Sequence, residues 1–253
     1  MQVKGFTIMT YQPFQIEGKD RPGRWLITCD HAANTVPPQI AGGDLGLDPA
    51  DMARHIAYDP GTAAVSSALG KHLNCPVVMS NFSRLVIDPN RGENDPTLLM
   101  KLYDGTIIPA NRHADAAERE RRLNLCYRPY HNALTGLAAR PDTVILSMHS
   151  FTPQLRNRPP RPWQIGVLYA GDTRLAHPLL HRLQQEPDLT VGDNEPYTGH
   201  LPGDAVDRHA LQHGRPNVLI ELRNDLIADA AGQHHWADRL APILESVLFE
   251  TQL

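Results

Sequence analysis

The chain reads as an α/β protein, layered around a largely parallel central sheet. Four short apolar runs have the length and β-branched content of buried strands, the stretches between them carry apolar residues at helical spacing, and the two kinds of segment alternate. The first run, RWLIT (24–28), leads into Cys29, Asp30 and His31. The second, CPVVMS (75–80), leads into NFSRLVIDPNR (81–91). The third, DTVILSMHS (142–150), ends at His149 and Ser150, and the fourth, PNVLIELRND (216–225), ends in Glu221 to Asp225. Helices are predicted over 60–73, over 114–139 with an interruption at Pro129, and over 174–185 and 232–249. Two Pro-containing stretches, 151–163 and 192–204, are predicted to be long ordered loops placed to cover a site. Ligands of open parallel sheets bind beyond the carboxyl ends of the strands. The four polar clusters stand at those ends.

At 253 residues the chain is read as one catalytic domain, 1–253. A net charge of -4 and arginines scattered among acids give no basic tract, so nucleic acid is excluded as a partner. No window approaches the roughly 20 apolar residues of a membrane span. MQVKGFTIMTYQPFQ has neither an apolar export segment nor a small-residue cleavage site, so the expected location is cytoplasmic with no membrane partner. Cys29, Cys75 and Cys126 are too few and too irregular for a disulfide framework or a cysteine zinc site. They are read as small core residues in a reducing compartment.

With 13 histidines in the chain, position decides which of them matter. His31 and His149 each stand at a strand end, where two imidazoles can converge on one ion. Histidine nitrogen is a common zinc ligand, and a catalytic site takes about three protein ligands plus water. A lone strand-end histidine is more often structural, so the reading rests on the acids nearby. Asp88 can accept the second ring N–H of His31 and fix its tautomer, or it forms a turn salt bridge with an arginine. Asn90 and Arg91 suit a substrate carboxylate, which guanidinium grips through two parallel hydrogen bonds. Glu221 is either a general base beside an activated water or a buried acid paired with Arg223 or another arginine.

CDHAANTVP, SRLVIDPNR, HSFTP, RPWQIGVL, NEPY and GRPNVLIELRNDLI follow in that order over residues 24–228. Together they resemble the N-formylglutamate amidohydrolase family, and more closely its predicted-amidohydrolase branch than the deformylases of histidine degradation. That family is similar in turn to zinc carboxypeptidases and aspartoacylases. The resemblance implies a three-layer phosphorylase/hydrolase-like fold of the zinc-carboxypeptidase kind, one divalent metal ion (zinc), and an amide bond as target. By the same resemblance His31 is the first metal ligand and His149 the later one. Asp88, Asn90 and Arg91 match the segment that holds a substrate carboxylate. Glu221 matches the base, with Leu222 and Arg223 behind it. The carboxypeptidase motif has a glutamate where this chain has Asn34, and a neutral amide oxygen is a poorer zinc ligand than a carboxylate. Asp59 in HIAYDPG, in a polar break before a helix, is the other candidate for the third ligand. Arg84 is read either as the stabiliser of a developing oxyanion or as the partner of Asp88. Tyr197 is read either as a hydroxyl closing over substrate or as loop packing.

The expected function is metal-dependent hydrolysis of the amide in a small N-acyl amino acid of the N-formylglutamate kind. Glu221 would take the proton from water activated by the ion, and Arg91 with Asn90 would anchor the carboxylate. Two rivals stand beside it. One is a carboxypeptidase or peptidoglycan-type amidase acting on peptides. The other is a binding protein that kept the fold and lost the chemistry, a reading that Asn34 keeps open.

Overall fold

The computed structural model describes residues 11–199 and 201–253. The export-signal reading of the N-terminus therefore lies mostly outside the described residues. In chain order the strands are β1 (Phe14–Glu17), β2 (Trp25–Cys29), β3 (Val77–Ser80), β4 (Leu102–Tyr103), β5 (Thr106–Ile107), β6 (Val144–Phe151), β7 (Ile165–Leu168), β8 (Val191–Asp193) and β9 (Asn217–Arg223). The helices are α1 (Pro49–Met52), α2 (Thr62–His72), α3 (Ala116–Arg122), α4 (Arg128–Ala138), α5 (Ala176–Gln184), α6 (Ala205–His209) and α7 (Ala230–Thr251).

Seven strands form one mixed, mostly parallel sheet in the order β1-β3-β2-β6-β9-β7-β8, and β4 and β5 make a separate two-stranded ribbon. All four apolar runs are strands, and they are the parallel centre, β3-β2-β6-β9. β1 runs antiparallel at one edge, and β7 runs antiparallel to β9 and carries β8 with it. The central strands read as continuous apolar runs because both faces are covered.

Alternate residues of each strand feed two separate cores. Ile27, Leu146 and Ile220 pack with Leu69 of α2, Leu179 of α5 and Leu240 of α7. Leu26, Ile145 and Leu219 pack on the other face with Tyr130 and Leu134 of α4 and Val206 of α6. The result is three layers, helix, sheet and helix. No described helix is long and apolar enough to cross a membrane.

Pro129 does not break the predicted helix over 114–139. Between α3 and α4 the chain makes one π-helical turn, Leu123–Tyr127, and Pro129 falls in the first turn of α4. A proline there lacks the N–H that an uninterrupted α-helix would need, and the widened turn lets the helical path continue past it. That path matters below, because Tyr127 and His131 lie on it.

Candidate active site

The side chains at the site are delivered by strand alternation. In β6 and β9 the residues facing α4 are Ile145, Ser147 and His149, and Asn217, Leu219 and Glu221, because side chains alternate between faces. His149 and Glu221 are register partners in the parallel β6–β9 pair. Both are buried. His31 follows the last residue of β2, the neighbour of β6 on its other side. Asp59 arrives from the loop before α2, through a turn in which Gly61 has φ of 83°. A Cβ at Gly61 would lie 2.2 Å from the Ile227 carbonyl oxygen, so only glycine permits this close approach.

These deliveries bring three groups together. His31, Asp59 and His149 each offer one ligand atom, and those atoms all lie within 4.8 Å of one another. Asp59 Oδ2 accepts from His149 Nδ1 at 2.9 Å and from the Ser150 N–H at 3.2 Å, and lies 3.3 Å from His31 Nδ1. His31 Nε2 donates to Asp88 Oδ1 at 2.7 Å. Arg84 Nη1, which can only donate, lies 3.3 Å from His31 Nδ1. A neutral ring that donates from Nε2 to Asp88 keeps its Nδ1 lone pair toward the cluster, as a metal ligand must.

The fit to a divalent cation rests on charge as well as on ligand type. Two imidazoles and a carboxylate are a donor set that zinc takes. Asp30, Asp59, Asp88 and Glu221 are all buried here against one buried guanidinium, Arg84. Burial would lower the pKa of His149, but hydrogen bonds to Asp30 and Asp59 and the charge of Glu221 carry it well above the ordinary histidine range. Burial pushes Glu221 up to about 7, with the Asp59 charge adding to it and His149 opposing. Glu221 Oε2 is buried with no hydrogen-bond partner among the described residues. Such an orphaned acceptor is uncommon in a folded interior, and it is what a water or substrate N–H would satisfy.

The segment from Arg84 to Arg91 forms the adjoining wall. Arg84 donates to Asp88 Oδ2 through Nη2 at 2.7 Å and Nε at 3.1 Å, while its Nη1 lies 3.7 Å from Asp59 Oδ1. Burial would raise the Asp88 carboxyl, yet Arg84 and His31 hold it well below the usual carboxylate range. Asp88 thus orients His31 and binds Arg84 at once. Asn90 and Arg91 line the same cavity of about 530 Å³ as His31, Asp59, His149 and Glu221. Tyr197 lines it from the covering loop, accepting from Arg161 Nη1 at 3.1 Å. That loop presses close on Gly166, the register partner of Glu221 in β7: a Cβ there would lie 2.1 Å from the Glu195 carbonyl oxygen.

Two expected residues fall outside this arrangement. Asn34 donates its amide to the Met52 carbonyl at 2.8 Å and does not line the cavity, and Asp59 occupies the position between the histidines. Arg223 pairs with Asp225 at 2.8 Å, reaches toward the Trp163 carbonyl, and does not line the cavity either. It neither neutralises nor backs Glu221. Other residues enter that sequence reasoning missed. Asp30, fully buried and hydrogen-bonded by Tyr130, stands 3.5 Å from His149 Nε2. Its adjacency to His31 at a strand end is the signal that could have found it. Asp204, which lines the cavity, caps α6 by accepting from the Asp207 N–H, and burial pushes its carboxyl up to about 6.

A buried His-Asp-His cluster at the carboxyl ends of a parallel sheet, with a glutamate oxygen beside it that lacks a partner among the described residues, suits hydrolysis, and the family comparison makes the chain a hydrolase that acts on amide C–N bonds. The family model for N-formylglutamate amidohydrolase matches residues 23–228, and the chain belongs to that family. The crystal structure of the gene product Atu2144 from Agrobacterium tumefaciens is similar at 33% identity and a TM-score of 0.90, over 96% of this chain and 97% of that one. An N-formylglutamate amidohydrolase from Ralstonia eutropha JMP134 shares the fold at 21% identity and a TM-score of 0.73, over 93% of this chain and 98% of that one. No curated protein matches.

Proposed function

We propose that this chain hydrolyses the amide bond of a small N-acyl amino acid of the N-formylglutamate kind, with one zinc ion held by His31, Asp59 and His149. The observation that carries the reading is Glu221. Its carboxylate is buried, in register with His149, and has an oxygen without a hydrogen-bond partner where water would stand. A bound zinc ion would supply Lewis-acid polarisation of the scissile carbonyl and a lowered pKa for water.

The chain's own groups do the rest. Glu221 takes a proton from the attacking water and passes it to the leaving nitrogen, so that a carboxylic acid and an amine are released. Arg91 and Asn90 hold the substrate carboxylate and set the amide at the distance of attack. Arg84, neutralised on one side by Asp88, offers Nη1 to the charge that grows on the carbonyl oxygen. Asp88 keeps His31 in the tautomer that a ligand needs. Tyr197 closes the cavity over the acyl end. Family membership supports a small-molecule substrate, and we place the enzyme in the cytoplasm.

The test is amine release from N-formylglutamate and a panel of N-acyl amino acids and short peptides, by wild type and by Glu221→Gln. Turnover of N-acyl amino acids that falls about a hundredfold or more in the variant supports the reading. Turnover of peptides alone transfers the site to a peptidase. No turnover on any substrate, with substoichiometric metal, makes the chain a binding protein.

A further inference from the structure

We infer that Tyr127, His131 and His209 are positioning residues that fix Asn90 and Arg91 at the carboxylate-binding end of the cavity. The inference rests on the proposed substrate class, and deepens it by saying what holds the anchor. Tyr127 and His131 lie on the helical path that passes Pro129, one turn apart, facing the 88–91 segment. The Tyr127 hydroxyl donates to the Arg91 carbonyl oxygen at 2.7 Å. His131 Nε2 lies 3.1 Å from the Pro89 carbonyl oxygen. The peptide carbonyls on both sides of Asn90 are therefore held from the same helical path.

The proton positions follow from elementary hydrogen-bond inventory. A carbonyl oxygen only accepts, so His131 Nε2 carries the hydrogen. A neutral ring then has a bare Nδ1, and His209 Nε2, 2.8 Å from it, must be the donor. His209 Nδ1 is left bare; the Thr135 hydroxyl, 3.5 Å away, gives its one hydrogen to the His131 carbonyl oxygen at 2.9 Å. The two ring planes are 17° apart, with centroids 5.1 Å apart. Both histidines are buried, and burial lowers them to about 3 and about 4, so the neutral pair is the form present at neutral pH. A second proton on His131 would set two hydrogens face to face as long as His209 keeps its own on Nε2.

Asn90 is fixed from two further directions. Its backbone N–H donates to Asp88 Oδ1 at 2.9 Å, and its side-chain Oδ1 accepts from the Ala205 N–H at 3.3 Å. That second bond orients the amide and leaves Nδ2 as the remaining donor of a residue that lines the cavity. Asp88, at the other end of the same segment, orients His31. One four-residue stretch thus reaches both ends of the cavity: His31 and Arg84 hold Asp88 at the metal end, and Tyr127 and the histidine pair hold the carboxylate end.

The experiment has two arms. Nitrogen-15 imidazole spectra of the full chain, assigned with His131→Gln and His209→Gln, should show both rings neutral with the hydrogen on Nε2 at neutral pH. A hydrogen on His131 Nδ1 overturns the relay. In the second arm, Tyr127→Phe and His131→Leu are assayed on an N-acyl amino acid and on its carboxamide, which lacks the carboxylate. We expect KM for the acid to rise about tenfold with kcat within about threefold, the scale of a small misplacement. The carboxamide should be turned over as by wild type. His131→Gln, whose amide can still donate to Pro89, should restore most of KM. Equal losses on acid and carboxamide, or an unchanged KM, overturn the inference. If wild type hydrolyses no N-acyl amino acid, the proposed function and the anchoring role fall together, while the spectra still decide whether the relay exists.

Discussion

Asp88 accepts the Nε2 hydrogen of His31 at 2.7 Å and the Arg84 guanidinium at 2.7 Å through its two oxygens, with no exposure to solvent. One carboxylate therefore fixes a ligand tautomer and a cavity cation together. Asp88→Asn removes the charge and can turn a donor toward either partner. Metal affinity, measured by chelator competition, should fall about 10- to 100-fold, the usual cost of losing a ligand's outer partner. Unchanged affinity would show that His31 needs no such support.

Glu221 lies beside the ligand atoms and is hydrogen-bonded to none of them, so base and ligand roles separate by mutation. Glu221→Gln should keep full metal occupancy while kcat falls about 10²- to 10⁴-fold. Metal lost along with activity would instead make Glu221 a ligand.

Arg91 tests the anchor. It donates to Thr97 Oγ1 and to the Asn90 carbonyl, which fixes the guanidinium plane. Arg91→Lys keeps the charge but loses the planar fork, so KM for a carboxylate substrate should rise about tenfold or more. A KM equal to that of wild type would remove Arg91 from the anchor.

Asp204 gives a pH dependence of stability. Burial raises its carboxyl in the fold, so its contribution is present below the unfolded value and is lost as pH rises through about 6. Wild type should lose stability between about pH 4 and about pH 6 by at most about 3 kcal/mol from this group. Asp204→Asn, which can still accept from the Asp207 N–H, should flatten that part of the curve in denaturant titrations at several pH values. An identical slope in both proteins would remove Asp204 as its source.

The parallel centre of the sheet was legible because β2, β3, β6 and β9 are covered on both faces and therefore spell unbroken apolar runs. β1 was not, since Phe14–Glu17 is only 4 residues long and lies half exposed at an edge. β7 and β8 have only 4 and 3 residues, too short for periodicity to separate from loop. Pro129 reads as an interruption because the π turn that absorbs it has no sequence signature of its own. At the site, His31, His149 and Glu221 could be found because strand ends place them. Asp59 depends on a glycine turn packed against Ile227, and Asn34 on its bond to Met52; both are tertiary facts. His131 and His209 are 78 residues apart and meet only in the fold.

The central claim is that a zinc ion between His31, Asp59 and His149 and the carboxylate of Glu221 together make the amide-hydrolysing centre. The most direct measurement titrates zinc into metal-free wild type, Glu221→Gln and His149→Ala while following both bound metal and amine release from an N-acyl amino acid. Activity of wild type should rise in proportion to zinc and saturate at one equivalent, Glu221→Gln should bind that equivalent without comparable turnover, and His149→Ala should bind it weakly. Turnover that is independent of zinc, or full zinc binding by His149→Ala, would contradict the account.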